Sequence, residues 1–270
     1  MPSSTTATSF PSLEQVTGAP EYVRRVSDVL KEIESTTDAA TAVELLREVT
    51  LRMGAEVSVF GSFMPEDRSG NSYRLLVACD PQWCSEYEAQ SCFANDPWLA
   101  YAFCHSEPIR GSELSASSEP ERSIVRLAER FGFRSCVIVP APSCGRLARM
   151  GVLCLGSSLP GYFEGDGYSA FKIVARSVAM EFHEWWLARL RDELIATAGI
   201  VERDRHILAM EAAGLTSKEI ARRLTITTAA ADSRIRRIRL KLAAPSRRAA
   251  ARLAAEYGLI QWPRARRDRP

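Results

Sequence analysis

The chain has 270 residues, 46% of them apolar and 25% charged, which is ordinary for a soluble globular protein and long enough for two domains. Its formal net charge of +2 hides a split: residues 201–270 hold 17 Lys and Arg against 7 Asp and Glu, leaving 18 against 26 for residues 1–200. Seven cysteines (79, 84, 92, 104, 136, 144 and 154) without a Cys-x-x-Cys pair argue against a disulfide framework or a zinc site. No apolar run approaches the ~18 residues of a membrane span, and the start Met1-Pro-Ser-Ser-Thr-Thr lacks the basic and apolar parts of a secretion signal. A cytoplasmic protein is expected.

Residues 1–18 read as a disordered N-terminus. From Glu21 to about Leu51 apolar residues recur at helical spacing (Tyr22, Val26, Val29, Ile33, then Val43, Leu46, Val49), with Asp38 placed to cap a second helix. Strand-like runs follow at Glu56–Phe63, Tyr73–Cys79, Ser135–Pro140 and Met150–Leu155. Helical material lies around Trp83–Phe103 and Glu119–Phe131, and a long helix from Tyr168 to about Leu194 closes this half. Helices before, between and after a run of strands predict an α+β domain, an antiparallel sheet between helices in an α-β-α sandwich, spanning residues 19–190. Such a layout can enclose a pocket.

Residues 191–200 read as a linker, because strand signals vanish there and the chain turns helical and basic. Four helices are then expected in an all-α domain over 201–262, followed by a basic tail, 263–270. The first runs from Glu202 to Ala213 and stops at Gly214, while Thr216 with Glu219 forms a Thr-x-x-Glu capping box for the second. Thr227 can cap a third helix to about Leu242, with Ala231, Ile235, Ile238 and Leu242 on one stripe and Ser233, Arg234, Arg236, Arg237 and Lys241 on or beside the other face. A helix that packs by one stripe and shows arginines on the other suits the DNA major groove. The fourth helix spans about Ser246–Tyr257.

Gly214-Leu-Thr-Ser-Lys-Glu-Ile-Ala-Arg-Arg-Leu-Thr-Ile-Thr227, with Ile238-Arg-Leu-Lys-Leu242, Ser246-Arg-Arg and Tyr257-Gly-Leu-Ile260, resembles the DNA-binding module of LuxR-type regulators over about 60 residues. The resemblance implies a helix-turn-helix whose DNA contacts come from Thr216, Lys218, Thr228, Ser233, Arg234, Arg236, Arg237 and Lys241. Two departures stand out. Asp204 replaces the family's usual Glu, and Ala230-Ala-Asp-Ser-Arg234 replaces Thr-Val-x-x-His, so base readout would shift to Thr228, Ser233 and the arginines.

The first half lacks the strand–helix alternation and acidic cluster of a phosphoacceptor receiver. Instead Trp83-Cys-Ser-Glu-Tyr87 through Asp96-Pro97, with Phe131-Gly132-Phe133, resembles the acyl-homoserine lactone binding domain of quorum-sensing regulators. By that resemblance the Trp83 indole N–H donates to a lactone carbonyl, the Asp96 carboxylate accepts from the amide N–H, and Tyr87 packs on the ring, with Tyr73, Cys79 and Cys154 in the lining. Three positions depart from the family: Cys79 stands for a Tyr, Gly111 for a Trp and Cys154 for a Ser or Thr, which implies a wider, less polar pocket.

Taken singly, Trp83 would be core and Asp96 a helix cap, and cysteines pack as small hydrophobes. The leading expectation is a ligand-responsive transcription regulator needing no cofactor beyond its signal, dimeric, with double-stranded DNA and RNA polymerase as candidate partners. Two alternatives remain open at this point. One makes the first domain a dimerisation or protein-partner module, or a sensor of an unrelated ligand; the other is a thiol hydrolase, for which only His105, His183 and His206 could act as base.

Overall fold

The computed structural model describes residues 10–63, 73–143, 149–242 and 244–262. Its contacts divide the chain into two units, residues 1–142 with 150–183 and residues 143–149 with 184–270.

In chain order the first unit holds α1 (Leu13–Thr17), α2 (Tyr22–Ile33), α3 (Ala39–Met53), β1 (Val57–Phe63), β2 (Arg74–Ala78) and α4 (Gln82–Ala89). A 3-10 turn (Cys92–Asn95) leads to α5 (Pro97–Cys104), β3 (Ile109–Arg110), α6 (Glu119–Arg130), β4 (Ser135–Pro142), β5 (Met150–Ser157) and the start of α7 (Tyr168–Ala198). The strands form one antiparallel sheet in the order β2-β1-β5-β4-β3. Strand β3, two residues long, is too short to leave a periodic signal in the sequence.

Helices cover both faces of the sheet, as the α+β reading predicted. On one face Ser58 of β1 shares a 2.6 Å hydrogen bond with Thr50 of α3, and Phe60 meets Phe182 of α7 with ring centroids 6.0 Å apart. Side chains alternate along a strand, so Val59 and Phe63 point the other way, into a core with Trp83 and Tyr87 of α4, Trp98 and Leu99 of α5, and Ile124 and Leu127 of α6. Asp38 caps α3, accepting from the Thr41 amide at 2.9 Å.

The expectation of disorder through residue 18 is corrected for the described part. Ser12 and Gln15 form a capping box for α1, and Leu13 is buried. The backbone of Leu13 and Glu14 lies so close to Gly167 that a Cβ there would fall 2.7 Å from it, and this close packing holds the segment.

The second unit carries the end of α7 and then α8 (Glu202–Ala212), α9 (Ser217–Leu224), α10 (Thr228–Lys241) and α11 (Arg247–Glu256). Side-chain caps start three of these helices: Thr216 accepts from the Glu219 amide at 3.3 Å, Thr227 from Ala230 at 3.2 Å and Ser246 from Ala249 at 3.1 Å. Gly214 takes the left-handed conformation (φ 78°) that ends α8. Ile207, Leu208, Ile220, Ile235, Ile238, Ala251 and Leu259 form the core.

Helix α7 continues through the segment read as a linker and stops only at Gly199, whose φ is 56°. An Arg189–Glu193 pair at i, i+4 supports it, and Ile195 and Ala198 pack on the core of the second unit.

Candidate functional site

Between the sheet and helices α4 and α5 lies a cavity of about 510 Å³ of atom-free space, its mouth included. Its walls are Val59, Gly61, Phe63, Tyr73, Leu75, Trp83, Tyr87, Phe93, Asp96, Trp98, Leu99, Phe133, Val152 and Cys154. Of the residues singled out from sequence, Trp83, Tyr87, Asp96, Tyr73 and Cys154 are therefore brought together.

Among the described residues of these walls Asp96 is the single charged one. Pro97 opens α5, and Asp96 is its N-cap: Oδ1 accepts from the amides of Trp98 (2.8 Å) and Leu99 (3.3 Å). Oδ2 accepts from the Tyr87 hydroxyl at 2.6 Å. Burial pushes the Asp96 carboxyl above its ordinary value, while the hydrogen bonds from Tyr87, Trp98 and Leu99 pull the other way. The Tyr87 phenol is pushed well up, first by burial and then by the neighbouring carboxylate. Capping and a place on the cavity wall thus coincide in one side chain.

Trp83 packs on Tyr87 with ring centroids 4.8 Å apart and the planes tilted by 33°, and both sit on α4, four residues apart on one face. No hydrogen bond engages the Trp83 indole N–H among the described residues, so that donor is available to a ligand. Tyr73 sits just before β2 and donates to Glu88 of α4 at 2.6 Å. Burial and that carboxylate raise its phenol to about 12.

Two of the positions singled out from sequence fall outside these walls. Cys79 does not line the cavity: β2 has ended at Ala78, the chain turns toward α4, and Cys79 is packed in the core around Trp83. Gly111 does not line it either. It starts a 3-10 turn against β4, where a Cβ would lie 2.4 Å from Cys136 Sγ, so no side chain fits without moving that buried thiol.

The sequence reading missed Phe63, Phe93, Val59, Leu75, Trp98 and Val152. Alternation along β1 placed Val59, Gly61 and Phe63 on one face, but nothing local said which face carried the cavity. Neither the cavity thiol nor its buried neighbour on β4 is activated: burial raises Cys154 well above its ordinary value and Cys136 to about 12, the reverse of what a nucleophile needs.

In the second unit Lys218, Arg222 and Arg223 of α9 and Ser233, Arg236 and Arg237 of α10 are exposed, and Thr228 opens α10. None of these arginines makes an ion pair among the described residues. Thr216 is occupied as the cap of α9, and its hydroxyl also lies 2.7 Å from Glu219. Arg234 is half-buried, with Nη1 shielded from solvent.

Lys241 is engaged inside the protein. Its ammonium donates to Asp204 at 2.9 Å and to the Gly199 carbonyl at 2.6 Å, tying the end of α10 to the start of α8. Arg247 holds α11 to α8 in the same manner, through the buried carboxylate of Glu211, with further bonds to Ser217 and the Leu215 carbonyl at 3.1 Å each. The basic tail at 263–270 and Cys144 lie outside the described residues. Among those described, no helix is long and apolar enough to cross a membrane.

Residues 38–166 match the autoinducer binding domain, and residues 200–254 match the bacterial regulatory proteins of the luxR family. No curated protein matches the chain in sequence. Among solved structures, SdiA in complex with octanoyl-rac-glycerol superposes with a TM-score of 0.66 at 18% identity, covering 88% of this chain and 96% of that one. Escherichia coli SdiA in another crystal form gives 0.63 at 20% identity, covering 87% and 97%. The N-acylhomoserine lactone dependent factor CepR2 from Burkholderia cenocepacia gives 0.53 at 18% identity, covering 63% and 98%. At these identities the likeness establishes the shared fold.

Proposed function

We propose, for a chain that belongs to the LuxR-type regulators and joins an autoinducer-binding domain to a luxR-family DNA-binding domain, that the signal is an acyl amphiphile held by its polar head at Asp96, Tyr87 and Trp83. The chain is a ligand-responsive transcription regulator and not an enzyme. The observation that carries the proposal is the cavity wall itself: mostly apolar, with the buried Asp96 carboxylate and the Trp83 indole, which no described residue engages, on the same wall. A carboxylate only accepts and an indole only donates. A head group offering an N–H or O–H beside a carbonyl satisfies both.

Acyl-homoserine lactones have that chemistry, and so do monoacylglycerols. The neighbours named for an N-acylhomoserine lactone and for octanoyl-glycerol support this class, since each of those molecules is a polar head on an acyl tail. The lactone is the first choice because its amide N–H and lactone carbonyl match Asp96 and Trp83 one to one.

Thr228, Ser233, Arg236 and Arg237 are proposed to meet DNA, with Arg222 and Arg223 as phosphate contacts. Two-fold dimers reading paired half-sites are the usual remedy for the few base pairs a single module reads. A cytoplasmic homodimer is therefore expected when the protein is active, with RNA polymerase as a downstream partner. The DNA-binding part is proposed to span 201–262.

The test is a promoter-reporter dose-response with lactones of graded chain length, with thermal unfolding alongside. Asp96→Asn loses a charge-assisted bond and Trp83→Phe a donor, so each should require at least ~10-fold more signal, the equivalent of 1.4 kcal/mol. Wild-type protein that neither activates nor gains thermal stability with any lactone or monoacylglycerol would overturn the reading.

A further inference from the structure

Phe63 closes the apolar end of the cavity because position 61 is glycine. Val59, Gly61 and Phe63 follow one another on the cavity face of β1. A Cβ on Gly61 would fall 2.2 Å from Cε2 and 2.5 Å from Cζ of Phe63, so the ring folds back along its own strand and lies over the glycine. It is held there by Phe93, stacked at 5.6 Å between centroids, by Tyr73 at 6.3 Å, and by the edge contact of Phe103 at 6.4 Å.

The strand register gives the scale. Val59 pairs with Cys154, whose thiol feels the Asp96 carboxylate, so this level marks the polar end. Gly61 lies two residues farther and Phe63 four, which at ~3.3 Å per residue puts them about 7 and 13 Å from it along the strand. The folded ring therefore ends the free space near the level of Gly61, roughly half the distance that the backbone would allow.

We infer that Phe63 sets the length of the apolar tail this cavity accepts, and that Gly61 is the positioning residue that lets its ring take the stopping place. The inference rests on the head-group reading above and deepens it by naming the specificity-determining pair. A tail that fits adds the burial of each methylene until it meets the ring, after which further carbons gain nothing.

The experiment measures affinities of purified full-length protein for N-acyl-homoserine lactones of increasing chain length, in wild type, F63L, F63A and G61A. In wild type the affinity rises with length and then stops. With the ring removed the rise continues to longer tails, by about fourfold per added methylene, the equivalent of ~0.8 kcal/mol each. F63L keeps an apolar side chain and the fold, and so carries the result if F63A unfolds. G61A drives the ring off its seat into the remaining space, shifting the optimum to shorter tails with at least a tenfold loss for the ligand wild type prefers. The same optimum in wild type, F63L and G61A, with binding intact, overturns the inference while leaving the head-group reading standing. Absence of binding to wild type at every length overturns both.

Discussion

The two units place their functional groups in opposite ways. In the second unit the scaffold is local: three helices begin at Thr or Ser caps, left-handed glycines follow α7, α8 and α11, and the exposed arginines of α9 and α10 do no work for the fold. In the first unit the side chains proposed to hold the signal are buried and shared with the architecture, since Asp96 caps α5 and anchors Tyr87 while it lines the cavity. A surface function can vary with little cost to stability. A buried one cannot, and mutations there change folding and binding together.

The largest expected effect tests the part of the second unit where this contrast fails. Arg247→Ala leaves the buried Glu211 carboxylate without its partner and should cost about 3 kcal/mol in urea unfolding, near the low end for a broken buried pair because Arg247 itself is partly exposed. A loss under ~1 kcal/mol would mean that α11 is held by its alanine stripe alone.

Next comes Asp96. Asp96→Ala removes a cap and leaves the Tyr87 hydroxyl unpaired, a combined loss of about 2 kcal/mol, whereas Asp96→Asn keeps the cap and should cost less than ~1 kcal/mol while still weakening the signal. If both variants unfold alike, capping and ligand recognition cannot be separated at this residue.

Arg237→Ala and Lys241→Ala sharpen the comparison within one helix. The first should weaken DNA binding by about 1 kcal/mol, lower the salt dependence by about one charge, and leave the melting temperature unchanged. The second should lower the melting temperature and leave the salt slope alone, because its ammonium is bound to Asp204 and Gly199. Reversed outcomes would place Lys241 on the DNA.

The smallest effect is a pH dependence. The folded-state pKa of Asp96 is raised above 3.8, so the native state holds this proton more tightly than the unfolded chain. Its contribution to stability is therefore greatest below the unfolded value and falls as pH rises through the window up to the folded value. Subtracting the urea stability of Asp96→Asn from that of wild type across this window should show a decline with rising pH. A difference that grows with pH would mean that the hydrogen bonds from Tyr87, Trp98 and Leu99 outweigh burial.

What the sequence made legible follows the same contrast. Helix caps are local chemistry, so Asp38, Thr216 and Thr227 could be placed from spacing alone, and so could the strand runs of the sheet. Non-local facts were out of reach. Nothing near Lys241 in the chain signals that Asp204, 37 residues away, will meet it, and nothing near Gly111 signals the thiol of Cys136. Cys79 and Tyr73 flank the same strand, yet only Tyr73 reaches the cavity, because the chain leaves β2 before Cys79. Position relative to a family pattern assigned all three cavity candidates Tyr73, Cys79 and Cys154 alike; the end of one strand separated them.

Cys154 gives the cavity a clock. Its thiol lies beside Val59 on the neighbouring strand of the same cavity wall, and burial pushes its pKa well above the ordinary value. That cysteine is partly exposed and lines the cavity, so the rate of its alkylation reports whether the space is empty. An occupant that fills the space stops the clock.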